Sequence, residues 1–261
     1  MQLEVSDREY MYSGHVGCPG CGAAVAMRFL LKALGDKVIM VLPACCWSVI
    51  AGPYPQSTLR IPVIHSAFET GGAVASGVRA ALDMKGDKET TVVTWAGDGG
   101  TFDIGFQALS GAVERNEDFI YVCYDNEAYM NTGIQRSSST PYGAWTTTTP
   151  GTEWKKMRKK NIVEALVAHR IPYAATANIA FPEDLTRKVK KAKETKGSRF
   201  LHIYASCPTG WRLPSEMAIK IARMAVQTNI FPLYEVEDGV KYTINYKPKE
   251  YPVKEYFRLQ G

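Results

Sequence analysis

Four short segments of the sequence carry metal-ligating side chains, and three of them also contain glycine or proline. They are residues 43–46, 97–99, 125–126 and 207–208. Cysteine thiolates bind zinc or iron–sulfur clusters, whereas carboxylate and amide oxygens are the hard ligands that Mg²⁺ prefers. The segments therefore indicate two kinds of chemistry, a thiolate centre and a magnesium-assisted phosphate site.

The cysteines contain one spaced motif. Cys18 and Cys21 form a CxxC pair in a glycine-rich loop directly before a predicted helix, where backbone amides favour anionic sulfur. By itself, CxxC fits zinc, thioredoxin-like redox chemistry or coincidence, although no predicted strand leads into this motif as in thioredoxins. Cys207 and one of the neighbours Cys45 and Cys46 would complete a set of four thiolates. Such a set suits either tetrahedral zinc or a cubane iron–sulfur cluster.

The oxygen ligands lie on two neighbouring predicted strands. Asp98 lies in a Gly97-Asp98-Gly99 turn after one strand, and Asn126 ends the next strand along the chain. With the carbonyl oxygen of Ala128, they offer Mg²⁺ three ligands, and a diphosphate would supply others. The plainer interpretation is a βα turn with a helix-capping asparagine, but the pairing of both motifs favours a magnesium–diphosphate clamp. A Walker-type phosphate loop is absent, so ATP or GTP chemistry is not expected.

Short apolar runs alternate with amphipathic stretches, a pattern typical of a mostly parallel α/β sheet with helices on both faces. The predicted strands cover residues 37–42, 90–95, 119–124 and 200–205, and the predicted helices cover 23–34, 70–84, 104–115, 154–169, 182–196 and 215–228. Each strand leads into one of the reactive segments, while Cys123 falls inside a strand and is predicted to be a core residue. Because ligands of open α/β sheets bind beyond the carboxyl ends of the strands, the segments should share one sheet edge.

The predicted α/β domain spans residues 1–229, and residues 230–261 form a C-terminal hairpin and arm. Alternating residues on either side of a Glu237-Asp238-Gly239 turn predict the hairpin. We expect this part to pack on a partner subunit.

Composition excludes several classes of protein. The 261 residues carry a net charge of +5, which does not indicate nucleic-acid binding. No apolar run approaches the roughly 18 residues that a membrane span needs, and the polar N-terminus does not resemble a secretory signal. A cytoplasmic protein is expected, in which cysteines serve as ligands or core residues more often than as disulfides. Two basic stretches, residues 155–160 and 187–196, are predicted to be solvated helix faces, or else a landing surface for an acidic electron carrier.

The longer motifs resemble the β subunit of pyruvate:ferredoxin oxidoreductase, a member of the thiamine diphosphate-binding 2-oxoacid:ferredoxin oxidoreductase family. A GDG turn followed at a distance by asparagine is similar to the thiamine diphosphate signature. More specific matches are residues 14–22, 65–69, 124–133, 140–147 and 207–211. The resemblance extends from about Tyr10 to the end of the sequence, and it implies the thiamine diphosphate-binding fold.

The resemblance also implies roles for individual residues. It favours a [4Fe–4S] cluster over zinc, with the ligands Cys18, Cys21, Cys46 and Cys207. Cys46 is preferred to Cys45 because the family has its single cysteine at this place. Thiamine diphosphate would be bound through Mg²⁺ by Asp98, Asn126 and Ala128, with Gly97 and Gly99 approaching the phosphates. Asn131 matches a family position close to the thiazolium and the substrate.

The implied activity is oxidative decarboxylation of a 2-oxoacid, pyruvate in the first place, to acyl-CoA and CO₂. Coenzyme A is the co-substrate, and electrons pass through the cluster to ferredoxin. An α subunit would supply the activating glutamate and part of the substrate pocket, and γ and ferredoxin-like δ subunits would complete the complex. Oxalate and branched-chain 2-oxoacids are alternative substrates. A zinc-stabilised structural subunit and a simple electron-transfer module are the alternatives that are not enzymes.

Overall fold

The structure, a computed structural model, describes residues 5–248 and 251–259. Its centre is an eight-stranded sheet with the order β2-β1-β3-β4-β6-β5-β7-β8. The strands are β1 (Val38–Pro43), β2 (Val63–Ser66), β3 (Thr91–Gly97), β4 (Ile120–Asp125), β5 (Tyr173–Asn178), β6 (Arg199–Tyr204), β7 (Tyr234–Glu237) and β8 (Lys241–Ile244). Strands β1 to β6 pair in parallel, and β7 and β8 add an antiparallel edge. The mostly parallel α/β architecture predicted from the sequence is confirmed.

Helices cover both faces of the sheet, as predicted, and each face has its own apolar core. On one face pack α1 (Gly22–Leu34), α2 (Cys46–Ala51), α6 (Pro182–Glu194), α8 (Ala218–Gln227) and α9 (Val253–Leu259). On the other face pack α3 (Gly71–Met84), α4 (Phe106–Glu114) and α5 (Ile162–Val167). Shorter turns are α7 (Pro208–Trp211), a π-helix (Gly99–Ile104) and a 3₁₀ turn (Ser215–Met217). None of the helices in the described part of the chain is both long and apolar enough to cross a membrane.

The order of the strands creates a crevice at one edge of the sheet. After β1 the chain adds β2 on one side, and β3 then returns to the opposite side of β1. At such a reversal the loops that follow the two strands diverge, which leaves space for a ligand beyond their carboxyl ends. The segment that contains Cys46 follows β1 and the Gly97-Asp98-Gly99 turn ends β3, so two of the reactive segments flank this crevice.

The four predicted strands are confirmed to within two residues at each end, whereas β2 and β5 were not predicted. Strand β2 is a four-residue edge strand, and β5 is rich in alanine, which has little strand preference. The predicted hairpin is confirmed, with Glu237 opposite Lys241. It extends the main sheet through β7, which pairs with β5. The expected contact of this region with a partner subunit stays a prediction.

The predicted helix over residues 154–169 is wrong in its first half, because α5 begins only at Ile162, where the Asn161 side chain accepts a hydrogen bond from the amide of Glu164. The basic stretch 155–160 is therefore not a helix face. Lys155 is 2% exposed and donates to the carbonyl oxygens of Ser138 and Thr140. A buried ammonium group needs such partners. Lys155 thus holds a loop in place and is not available to a landing surface.

Two glycines of α3 provide a test of the packing between α3 and α4. A Cβ atom on Gly72 would lie 2.6 Å from the carbonyl oxygen of Ala108 in α4, whereas one on the exposed Gly77 would meet nothing within 4 Å. We expect Gly72→Ala to lower the free energy of unfolding by about 1–3 kcal/mol through overpacking. Gly77→Ala should raise it by about 0.5–1 kcal/mol, because alanine favours helix. Denaturant titration of the two variants measures this difference, and equal effects would contradict the close packing of α3 on α4.

Candidate cofactor site

A cavity of about 220 Å³ opens at the crevice, beyond the carboxyl ends of β1, β3 and β4. All of the predicted site residues except Cys18, Cys21 and Cys207 line it. They are Cys46, Gly97, Asp98, Gly99, Asn126, Ala128 and Asn131. The wall also contains Phe68, Tyr129 and Met130, which sequence reasoning did not single out. All three lie within the motifs that resemble the family, so a closer comparison of those motifs could have identified them.

The Asn126 amide and two oxygen atoms come together at this cavity. The amide group lies 3.0 Å from Oδ1 of Asp98 and 2.9 Å from the carbonyl oxygen of Ala128. Turned one way, the amide donates from its nitrogen to both oxygens. Turned the other way, its oxygen completes a set of three hard ligands for a cation between them. The donor set therefore fits Mg²⁺.

Electrostatics at Asp98 also favour a cation. Burial and the nearby carboxylate of Asp125 raise the pKa of Asp98 well above its ordinary value, although a hydrogen bond from the Ser137 hydroxyl works in the opposite direction. A buried carboxylate is costly unless it is paired or coordinates a metal. A divalent cation next to Asp98 would supply the missing opposite charge.

The glycines of the GDG segment permit close approach. A Cβ atom on Gly99 would overlap the ring of Tyr129, and one on Gly100 would lie 3.0 Å from Phe68. The chain then forms a π-helix, where an α-helix had been predicted to begin only at residue 104. Single π turns inside helices occur often at functional sites. Bare backbone and two aromatic rings thus line the cavity next to Asp98.

The four predicted cluster thiols lie near one another. Burial, followed by repulsion from Cys45, Cys207, Cys21 and Cys18, raises the pKa of Cys46 to about 12. Burial likewise raises the pKa of Cys207 to about 11, and Cys21, Cys18 and Asp98 add to this. The thiols thus interact with one another and, through Cys207, with Asp98. Buried thiols with raised pKa values stay protonated until a metal supplies positive charge.

Glycines also allow the CxxC loop to pack next to Cys207. The amide of Gly22 donates to the carbonyl oxygen of Ser206, 3.0 Å away, and a Cβ atom on Gly22 would lie 2.7 Å from the same backbone. A side chain on Gly20 would overlap the backbone of Ser215. Cys207 itself accepts a hydrogen bond from the amide of Gly210, 3.3 Å away. Close backbone contact therefore holds the two thiol-bearing loops together.

The spacing of the thiols bears on the choice between zinc and a cluster. Across residues 5–248 and 251–259, no three or more His, Cys, Asp and Glu side chains are grouped so that they could hold one metal ion. Zinc needs all of its thiolates within about 2.3 Å of a single point. A cubane cluster accepts each thiolate at a different iron, so its ligands stand farther apart. The described thiols therefore do not form a closed zinc site in this structure, and the cluster stays a prediction. Cys123 is fully buried inside β4, as predicted.

Fold and site together define an α/β protein that binds thiamine diphosphate, and a comparison of sequences supports this. Residues 44–203 match the family model "Thiamine pyrophosphate enzyme, C-terminal TPP binding domain". Among curated relatives, ketoisovalerate oxidoreductase subunit VorB of Pyrococcus furiosus is 56% identical, with 100% of this chain and 87% of the relative covered. Pyruvate synthase subunit PorB of Methanothermobacter thermautotrophicus is 50% identical, with 99% and 91% covered.

A solved structure shows the same fold. It is that of 2-oxoglutarate:ferredoxin oxidoreductase from Magnetococcus marinus, with a TM-score of 0.67 and 24% sequence identity, and the match covers 84% of this chain and 82% of that chain. The family is shown by the curated relatives. This chain belongs to the 2-oxoacid:ferredoxin oxidoreductase family, as a β subunit.

Proposed function

We propose that this chain is the catalytic β subunit of a complex that oxidatively decarboxylates a short, apolar 2-oxoacid to acyl-CoA and CO₂ and passes the electrons to ferredoxin. One observation carries the proposal. The cavity that contains the Asp98, Asn126 and Ala128 oxygens is also lined by Cys46, whose thiol interacts with the other three cysteines of the proposed cluster. The site of decarboxylation and the first electron acceptor would therefore be neighbours.

The oxygen ligands have a positioning role in this proposal. Asp98, Asn126 and the Ala128 carbonyl would hold Mg²⁺, and Gly97 and Gly99 would let the diphosphate approach the backbone. When bound, thiamine diphosphate supplies the electron sink that decarboxylation of a 2-oxoacid requires. The rings of Phe68 and Tyr129 and the side chain of Met130 line this part of the cavity and would exclude water from it. Asn131 lines the same cavity, where its amide would orient the substrate.

The thiols have the second role. Cys18, Cys21, Cys46 and Cys207 would hold a [4Fe–4S] cluster, which supplies one-electron transfer. Cys46 would be the ligand nearest to the cofactor, because it alone of the four lines the cavity. Cys18 is exposed, so its side of the cluster would face the surface where a partner receives electrons.

The complex needs partner chains. Thiamine enzymes use a glutamate to activate the aminopyrimidine, and no glutamate is found among the described residues that line the cavity. Glu127 is close in sequence, but its carboxylate pairs with Lys159 and Tyr256. An α subunit would therefore supply this glutamate, and γ and ferredoxin-like δ subunits would complete the complex that passes electrons to ferredoxin.

The character of the cavity favours substrates with an apolar side chain. Its described lining contains no Lys, Arg or His that could pair with a second carboxylate. This chain's side of the pocket therefore favours pyruvate over oxalate and other dicarboxylates, and the α subunit would complete the pocket. Branched-chain 2-oxoacids are supported at least as well as pyruvate by the relatives, because those named ketoisovalerate oxidoreductase subunits are 54–56% identical, against 50–51% for two relatives named pyruvate synthase subunits.

The test is an assay of the purified complex with pyruvate, ketoisovalerate, 2-oxoglutarate and oxalate, each with coenzyme A and a viologen acceptor. We expect coenzyme A-dependent viologen reduction with pyruvate or ketoisovalerate, and kcat/KM at least about 100-fold lower with 2-oxoglutarate, because its second carboxylate would be desolvated without a partner. Oxidation of oxalate without coenzyme A, or no thiamine diphosphate in the active complex, would overturn the proposal.

A further inference from the structure

The turn between two of the proposed Mg²⁺ ligands has an unusual backbone. Glu127, between Asn126 and Ala128, has a φ of 71°, in the left-handed region that glycine normally occupies. A glutamate in this conformation is disfavoured by about 1 kcal/mol or more, so the surrounding structure must stabilise it. The Glu127 side chain is also buried, at 1% exposure. A charged residue in a strained, buried turn calls for specific partners.

Two side chains from distant parts of the sequence bind the Glu127 carboxylate. The ammonium of Lys159 lies 3.1 Å from Oε1 and also pairs with Asp125 at 2.7 Å. The hydroxyl of Tyr256, in α9, donates to Oε2 across 3.1 Å. Tyr256 is fully buried and has a second hydrogen bond, of 2.6 Å, with the hydroxyl of Tyr204. The C-terminal helix therefore reaches the turn that carries the proposed ligands.

The backbone of the same turn is held at three atoms. The amide of Glu127 donates to Oδ1 of Asp125 across 2.9 Å, and its carbonyl oxygen accepts from Thr140 across 2.6 Å. The indole Nε1 of Trp211 donates to the carbonyl oxygen of Asn126 across 3.0 Å. With its peptides fixed in this way, the turn brings Asn126 and Ala128 to the wall of the cavity, whereas Glu127 does not line it.

Lys159 also compensates the negative charge of the carboxylates next to the proposed clamp. It is enclosed by the carboxylates of Asp125 and Glu127, and their attraction outweighs burial and raises its pKa. Its charge also counteracts the repulsion that Asp125 exerts on Asp98. Without Lys159, three buried carboxyl groups would share this region with less compensation.

We propose that Glu127, Lys159 and Tyr256 are positioning residues of the cofactor site. They hold the 126–128 turn in its left-handed conformation so that the Asn126 and Ala128 oxygens face the cation, and the C-terminal helix is thereby part of the site. The inference rests on the proposed function, since it takes Asn126 and Ala128 as ligands of Mg²⁺. The three residues themselves do not touch the cavity.

The decisive variant is Tyr256→Phe, which removes one hydroxyl and keeps the buried ring. The intact complex, freed of cofactor and Mg²⁺, is titrated with Mg²⁺ at a fixed concentration of thiamine diphosphate, and bound cofactor is measured by calorimetry. We expect the Mg²⁺ concentration at half-saturation to rise about tenfold, as for loss of a hydrogen bond to a charged group. The amount bound at saturating Mg²⁺ should be unchanged. The matched control is Tyr251→Phe, whose side chain is exposed.

Lys159→Met tests the charged partner, with the exposed Lys156→Met as its control. Lys159→Met leaves two buried carboxylates without their cation and should lower the melting temperature. Loss of one positive charge alone would favour Mg²⁺ binding, so the rise that we expect in the half-saturating Mg²⁺ concentration reports loss of the turn geometry. The tyrosine variant keeps the test valid if the lysine variant does not fold.

The outcomes separate this inference from the proposed function. Loss of Mg²⁺-dependent binding in Asp98→Asn together with identical titrations of Tyr256→Phe and Tyr251→Phe would overturn the positioning role alone. Unchanged binding in Asp98→Asn would contradict the Mg²⁺ clamp and, with it, the proposed function. A Tyr256→Phe complex with a lower bound amount and an unchanged midpoint would indicate a purely structural residue and would also overturn the inference.

Discussion

Replacing Asp98 by asparagine is expected to abolish Mg²⁺-dependent retention of thiamine diphosphate and to lower kcat/KM by at least about 10³-fold, because the clamp loses its only charged ligand. Asparagine keeps the shape of the side chain and can still accept the hydrogen bond from Ser137. The measurement is cofactor content after gel filtration in Mg²⁺, followed by a steady-state assay with coenzyme A and viologen.

The same substitution should leave the fold intact. Asp98 is 1% exposed and is repelled by Asp125, so removing its charge relieves an unfavourable interaction in the cofactor-free chain. We expect the melting temperature without Mg²⁺ to stay the same or to rise. Asp83→Asn, on the outer surface of α3, is the control and should retain cofactor. Full cofactor content in Asp98→Asn would argue against the clamp, whereas loss of folding would contradict the electrostatic argument.

Replacing Cys207 by alanine is the second large effect that we expect. The variant complex should lose most of its iron and acid-labile sulfide, together with its broad visible absorption, because a cubane that lacks one of four thiolates is exposed to solvent and oxidation. Cys123→Ala is the matched control, since Cys123 is fully buried in β4. It should lower the free energy of unfolding by about 1–2 kcal/mol and leave the iron content unchanged.

The adjacent pair Cys45 and Cys46 can be resolved in the same way. Cys46 interacts with Cys207, Cys21 and Cys18, whereas Cys45 accepts hydrogen bonds from the backbone of α2 and interacts with the Tyr124 hydroxyl. Cys46→Ala should therefore lose iron and Cys45→Ala should keep it. Equal iron content in the two variants, or stoichiometric zinc without sulfide in the native complex, would refute the cluster assignment.

The sequence predicted both the α/β fold class and the sheet edge at which the candidate site residues gather. Cys46, Asp98 and Asn126 each lie where an apolar run ends, and these runs were strong enough to identify β1, β3 and β4. Parallel strands end at a common edge, so predicting the strands was enough to bring their loops together. Strand β5 escaped prediction because its alanine-rich sequence gains its strand conformation from burial between β6 and β7.

The basic stretch shows why charge patterns alone mislead. Lys155 and Lys159 lie in a basic stretch of the kind that usually forms the solvated face of a helix. In the structure, Lys155 instead donates to backbone carbonyls and Lys159 pairs with buried carboxylates. A lysine pairs with whichever acceptor the fold brings within reach, and no local pattern records which acceptor that is. Sequence reasoning therefore predicted the wrong structure for this segment, and it gave no sign of a role for Lys159.

By itself, the sequence determined the family of this protein and its candidate ligands, because ligand types, their glycine neighbours and the ends of strands are local features. Only the tertiary structure decided which side chains support the proposed clamp. Tyr256 reaches Glu127 across 129 positions of sequence, and this hydrogen bond depends on how α9 packs on the sheet. Contacts between segments so distant depend on how the whole core packs, and no single segment of the sequence specifies that packing.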